Sequence, residues 1–364
     1  MKPKILILSA SFGDGHNSAA RHLAEALQKN ATIRVADPCH TGNPRINAFL
    51  CRTYREITTY TPKVWAWIYR STDRQDFSRP LPFIAKTETA VAQILDDFQP
   101  DIVINTYPLY PYMVDRQFEI AGRRRVPIVT VVTDSIEINA AWTNSPSDYF
   151  LITDEHTREG LVTSNLPEKK IITTGFPVSP RFEHLPKISA EDPLNPFRIL
   201  FFPTARSPHV NDIINAALSH DTQITVVLGR NLRRLYHKVH SLKKKLPGRI
   251  RIKGWTGKVP ELLSSHHLII GKAGGATVHE AIAAQCPMLV HHIVPGQEEG
   301  NIELLDRFET GSLATSAKAI EQSIGDLLAN DATLWREQKK RLEIHARPSA
   351  ASQAADFILS LASS

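Results

Sequence analysis

An α/β protein built on two doubly wound parallel sheets is what this sequence predicts, on three observations. Short apolar runs alternate twice with helix-like stretches, a glycine turn joins strand to helix in each alternation, and a proline-punctuated break separates the two. A chain of 364 residues has room for two domains of ordinary size.

The first alternation opens with an apolar run at 4–9 that reads as a buried strand. It enters a turn containing Ser11, Gly13, Asp14, Gly15 and His16, then a helix over 18–28, where Ala19, Leu23, Ala26 and Leu27 recur at helical spacing. Further short runs at 102–105, 128–133 and 149–152 read as strands of the same sheet. Pro180, Pro186, Pro193 and Pro196 then break the pattern, which places a linker at 180–196. The second alternation has strands at 198–202, 224–228, 249–252, 268–270 and 288–291. From Ser349 onward, Ala354, Ala355, Ile358 and Leu361 share one helix face, so a terminal helix must pack on one of the lobes. In a two-lobed fold it is expected to cross back onto the N-terminal lobe, although its spacing alone does not show that. The domains expected are therefore 1–185, 186–348 and a terminal helix at 349–364, with ligands at the carboxyl ends of the strands in a cleft between the two sheets.

Composition narrows the function classes. Hydrophobic residues at 42% and charged residues at 22% exclude a disordered chain. The apolar stretch at 5–8 is far short of the roughly 20 residues of a membrane span and lacks a signal-peptide layout, so a cytoplasmic location is expected. Cys39, Cys51 and Cys286 are scattered without a CxxC and read as reduced, buried thiols. A net charge of +6 favours an anionic partner without choosing among nucleic acid, phospholipid and phosphorylated substrate.

The segment around Gly274, Gly275, Ala276 and Thr277 carries the strongest chemical signal. A strand ends there, paired glycines allow backbone to approach a ligand, and a helix opening at Thr277 would turn its N–H groups and dipole on a phosphate. Glu280, three residues beyond Thr277, also fits a capping box, so an ordinary capped helix explains the same residues. The next strand delivers Gln297, Glu298, Glu299 and Asn301 between Pro295-Gly296 and Gly300; amides and carboxylates held this way suit the hydroxyls of a sugar.

The run Gly274-Gly-Ala-Thr-Val-His-Glu-Ala281, followed by Pro295-Gly-Gln-Glu-Glu-Gly-Asn301, resembles the donor-site signature of a family of inverting GT-B glycosyltransferases. The family includes monogalactosyldiacylglycerol synthases, processive diacylglycerol glucosyltransferases and the N-acetylglucosaminyl transferase of lipid II synthesis. The resemblance extends to residues 9–20, to Val131-Val-Thr-Asp134 with Trp142, to Thr174-Gly-Phe-Pro-Val178 and to Leu228-Gly-Arg-Asn231. It implies a UDP-sugar donor whose phosphates lie along Gly274, Gly275, Ala276 and Thr277. It further implies ribose on Glu280, the sugar on Gln297 and Glu298, and Gly229, Arg230 and Asn231 near the nucleotide. Two positions depart from the family pattern. Phe201 to Pro208 replaces a glycine-rich loop, with Arg206 as a substitute phosphate donor, and Asn139 stands where galactolipid synthases often carry a histidine.

With this resemblance, His16 is the candidate general base, its ordinary pKa near 6.5 suiting proton abstraction from an acceptor hydroxyl. Asp14 and Asp134 are the substitute base or orienting partner, and Gly13, Gly15 and Trp142 belong to the acceptor side. A histidine that merely starts a helix is the plain alternative, since the chain has fifteen histidines. No Asp-x-Asp triplet occurs, so no metal and no other cofactor is expected. Trp65, Trp67 and Tyr69 interleave with Arg52, Arg55, Lys63 and Arg70; the pattern suits an anionic membrane surface, single-stranded nucleic acid, or an ordinary packed helix. The reading adopted is hexosyl transfer from a UDP-sugar to a lipid hydroxyl, that of diacylglycerol, at the cytoplasmic face of a membrane and without nucleic acid. A non-hydrolysing nucleotide-sugar epimerase and a non-enzymatic nucleotide-sugar-binding protein stay open on the same residues.

Overall fold

The computed structural model describes residues 2–72, 75–79, 85–120, 122–204, 209–229 and 232–362. Arg206, Arg230 and Asn231 lie outside them. The chain forms two compact units, one of Met1–Pro180 with Val294–Gly300 and Ser349–Ser364, the other of Arg181–Ile293 with Asn301–Pro348.

In the first unit the elements run β1 (Lys4–Leu8), α1 (Asp14–Leu27), β2 (Thr32–Ala36), α2 (Pro38–Gly42), α3 (Pro44–Tyr60), α4 (Pro62–Thr72), α5 (Ala85–Phe98) and β3 (Ile102–Asn105). There follow α6 (Tyr110–Ile120), β4 (Ile128–Val131), α7 (Ala140–Thr143), β5 (Tyr149–Ile152), α8 (Glu155–Thr163) and β6 (Ile171–Thr173). The sheet is parallel throughout, in the order β2-β1-β3-β4-β5-β6, so its topological switch point lies between β1 and β3. Every apolar residue of β1 is buried. Ile5 and Ile7 join the core with Leu23 and Leu27 of α1, while Leu6 and Leu8 face Val91 of α5 and Val114 of α6.

The second unit holds β7 (Phe197–Phe201), α9 (Val210–Ala217), β8 (Thr222–Val227), α10 (Leu232–Lys245), β9 (Ile250–Lys253), α11 (Val259–Ser264) and β10 (Leu268–Lys272). It continues with α12 (Gly275–Ala283), β11 (Met288–His292), α13 (Glu299–Arg307), β12 (Gly311–Leu313) and α14 (Ala317–His345), which breaks at 329–332. Its parallel sheet has the order β12-β11-β10-β7-β8-β9, with the switch point between β7 and β10. The last helix, α15 (Ala350–Ala362), returns to the first unit, where Ala354, Ala355 and Ile358 are buried in the core beside Leu23 and Leu27. Removing the Ile358 side chain there should cost about 2–5 kcal/mol.

Several expectations need correcting. β2, β6 and β12 were not foreseen; all three are sheet edges with mixed burial, so they show no continuous apolar run. α1 starts at Asp14, before the expected 18, because Gly13 at φ 102 makes the turn and Asp14 suits a first helical turn. His16 is therefore helical. β4 stops at Val131, which puts Thr133 and Asp134 in the loop beyond it. The polar loop expected in the second half groups with the first unit as Val294–Gly300. Of the three free cysteines Cys286 is buried, but Cys39 and Cys51 are only half-buried. Among the described residues no helix is long and apolar enough to cross a membrane.

Candidate functional site

The carboxyl edge of the first sheet gathers side chains around its switch point. His16, in the first turn of α1, is 8% exposed, and its Nδ1 lies 3.1 Å from Thr133 Oγ1 in the loop after β4. A hydrogen bond to the Thr106 backbone holds the ring from the loop after β3. Tyr107 meets it edge-on at 5.4 Å, and Trp142 lies 6.0 Å away. Burial lowers the His16 pKa to about 4, and the positive end of α1 acts in the same direction. The imidazole is thus neutral at physiological pH and able to take a proton.

Asp134 is the second tuned group. Burial raises its pKa to about 6, opposed by a hydrogen bond from Trp142 Nε1 to Oδ2 at 2.9 Å, with a further rise from the Glu298 charge and a further opposing bond from Tyr69. Asp14, by contrast, is exposed at the helix start. Asn139 caps α7 by accepting from Ala141 N–H and ties down the end of α4 by donating to the Tyr69 carbonyl and Thr72 Oγ1. That accounts for an asparagine at this position in structural terms.

The loop Val294–Gly300 is knitted into this cluster. Tyr54 of α3 donates to Gln297 Oε1 at 2.8 Å, and Glu298 accepts from Val294 N–H at 2.8 Å with its other neighbour Asp134. Gly296 has φ 84, and a Cβ there would lie 3.3 Å from Ala66 Cα. At Gly300 a Cβ would fall 2.0 Å from the Ser135 carbonyl oxygen, so only glycine lets the loop leave at that point. Arg70 and Glu299 form an exposed ion pair at 3.8 Å, worth little by itself.

The second sheet offers a different edge. α12 begins at Gly275 with Gly274 as its N-cap, in an extended conformation and with no side-chain cap. The expected opening at Thr277 is thus two residues late, and Thr277 with Glu280 forms no capping box, because the cap position is a glycine. Gly271, just before, lets Thr277 and Met288 close on the strand, its Cβ position being 3.6 Å from Thr277 Cγ2 and 3.3 Å from Met288 Cε. Gly229 after β8 has φ 55, which glycine adopts without strain. Asn301, expected among sugar-binding groups, donates instead to the Ala273 carbonyl at 2.9 Å and anchors the approach to the glycine turn.

Thus His16, Asp134, Trp142, Tyr69, Gln297 and Glu298 come together, whereas Gly229, Gly274, Gly275, Ala276, Thr277 and Glu280 line the other sheet. Trp65 packs edge-on against Tyr54 at 4.8 Å, and Trp142 is 1% exposed, so neither of these rings nor half-buried Tyr69 is a surface group; Trp67, 71% exposed, is. Thr133, Tyr107 and Tyr54 were not singled out from sequence. Tyr107 follows a recognised strand at its carboxyl end, a signal that was there to read; nothing local marks Tyr54.

The model of the monogalactosyldiacylglycerol (MGDG) synthase family matches residues 16–178. A processive diacylglycerol beta-glucosyltransferase of Bacillus subtilis is 24% identical over 353 residues, covering 94% of this chain and 91% of its own. Among solved structures, MurG of Acinetobacter baumannii superposes with a TM-score of 0.63 at 16% identity, covering 98% of this chain and 100% of its own. A UDP-GlcNAc 2-epimerase from Neisseria meningitidis gives 0.59 at 14%, covering 98% and 100%. The structural likenesses speak for the fold. With two parallel six-stranded sheets and these likenesses, the chain has the GT-B fold of structures such as MurG, and its residues 16–178 match the monogalactosyldiacylglycerol synthase family.

Proposed function

We propose that the chain transfers a hexosyl group from a UDP-sugar to a lipid hydroxyl, that of diacylglycerol, with inversion at the anomeric carbon. The observation that carries the chemistry is the buried imidazole of His16, held neutral at the carboxyl edge of a parallel sheet. His16 takes the proton of the acceptor hydroxyl as its oxygen bonds to the anomeric carbon. The bond from that carbon to the UDP oxygen breaks, and UDP leaves with the electron pair. Its developing charge is met by the N–H groups of Gly275, Ala276 and Thr277 at the uncapped start of α12, with Glu280 on the ribose. Gln297 and Glu298 contact the sugar. Asp134, ionised above about pH 6, orients Trp142 beside His16. The reaction needs no metal.

The exposed faces of α3 and α4 support docking on an anionic membrane at its cytoplasmic face. Ile46, Phe49, Tyr60, Val64 and Trp67 are exposed there among Arg45, Arg52, Lys63 and Arg70. The relatives named as diacylglycerol glucosyltransferases support the lipid acceptor. The epimerase reading has only a shared fold behind it.

The test is incubation with labelled UDP-sugars and vesicles, with and without diacylglycerol and in the presence of EDTA, followed by organic extraction. Label should enter the organic phase only with diacylglycerol and should be indifferent to EDTA. Equal turnover on a soluble acceptor would overturn the glycolipid reading, and loss of activity in EDTA restored by magnesium would overturn the metal-free one.

A further inference from the structure

We infer that Tyr54 is a positioning residue for the donor sugar, fixing the side-chain amide of Gln297 so that its NH2 group is the one offered to the ligand; this rests on the transferase reading above. The backbone of the loop is already set. Gly296 lies against Ala66 and the Tyr69 ring of α4, Gly300 against the Ser135 carbonyl, and the Glu298 carboxylate closes the turn on Val294 N–H. What remains to be set at Gln297 is the plane and sense of the amide.

Tyr54 sets it. Its ring is held edge-on by Trp65 at 4.8 Å, and its hydroxyl donates to Gln297 Oε1 at 2.8 Å. The phenol keeps its proton, because burial and the carboxylates of Glu298 and Asp134 hold its pKa well above the usual range. A retained, buried O–H needs an acceptor, and the carboxamide oxygen is that acceptor. With Oε1 turned to Tyr54, the NH2 group lies on the opposite side of the amide and is what Gln297 presents to a sugar, so it reads a hydroxyl oxygen as an acceptor at one fixed position. An epimer that carries this hydroxyl in the other orientation misses it. Helix α3, whose sequence looks purely interfacial, thereby takes part in choosing the sugar.

The experiment is calorimetry of UDP, UDP-glucose and UDP-galactose on the full-length wild type, Tyr54→Phe, Gln297→Ala and the double variant, with kcat and KM for the better hexose. Tyr54→Phe keeps the ring contact with Trp65, so the fold is preserved. We expect unchanged UDP affinity, a loss of about 2- to 10-fold in affinity for the preferred UDP-hexose, the size of one net hydrogen bond, and a narrower preference between the epimers. KM should rise with kcat nearly constant. In the Gln297→Ala background Tyr54→Phe should cost nothing more, a non-additivity that a merely structural tyrosine would not show. Wild-type behaviour of Tyr54→Phe, or full additivity with Gln297→Ala, overturns the inference alone. Failure of the wild type to bind UDP or either UDP-hexose overturns the transferase reading and this inference with it.

Discussion

The carboxyl edges of the two sheets are built on opposite plans. At the first, side chains converge: His16 of α1, Tyr107 after β3, and Thr133, Asp134 and Trp142 after β4 pack against one another, and their burial moves the pKa of His16 down and of Asp134 up. At the second, what is offered is backbone. A glycine caps α12 without a side chain, Gly271 lets the helix approach the strand, and Gly229 turns in the left-handed region. Tuned side chains move protons, and bare N–H groups bind phosphate. A transferase needs both.

The comparison breaks first at His16. His16→Ala should lower turnover by about a hundredfold to ten-thousandfold while leaving UDP affinity unaltered by calorimetry. A parallel fall in UDP affinity would mean that the two edges do not divide the work. Next comes the backbone edge: Gly275→Val should weaken UDP by about ten- to a hundredfold, roughly 1.4 kcal/mol for each factor of ten, with a normal melting curve. Undiminished UDP binding in that folded variant would remove α12 from the donor site.

A smaller effect sharpens the electrostatic side. As pH falls below about 6 Asp134 takes up a proton, while His16 stays neutral to about 4, so kcat/KM should drop about tenfold per unit below pH 6. In Asp134→Asn that limb should vanish and leave one nearer pH 4. The same substitution tests the linkage. A carboxyl whose folded pKa is raised favours the native state below its unfolded pKa, and this contribution is lost as pH rises through about 6. Asp134→Asn should therefore raise the Tm at pH 8 more than at pH 5. The smallest effect is at the surface, where Trp67→Ala should release the protein from anionic vesicles a few-fold more readily, at low salt as well as high, since ring burial adds to charge. An equal effect from the inward-facing Trp65 in a folded variant would refute the division between surface and site rings.

By itself the sequence determined the two sheets, their central strands and the glycine turn before α12. Central strands of a parallel sheet are buried on both faces and appear as unbroken apolar runs, and a tight turn from strand to helix draws on glycines that are local in the chain. It also pointed to His16, Asp134, Gln297 and Glu298 as residue types suited to the chemistry. It did not show the edge strands β2, β6 and β12, whose half-exposed residues lack that run. Nor could it show that Gln297 and Glu298 group with His16 and Asp134 in the first unit, or that Tyr54 bonds to Gln297. Those pairings join residues far apart in the chain, such as Tyr54 with Gln297 and Ser135 with Gly300. They follow from packing of the loop against α4 and the Ser135 carbonyl, and no local pattern of spacing or propensity encodes a contact of that range.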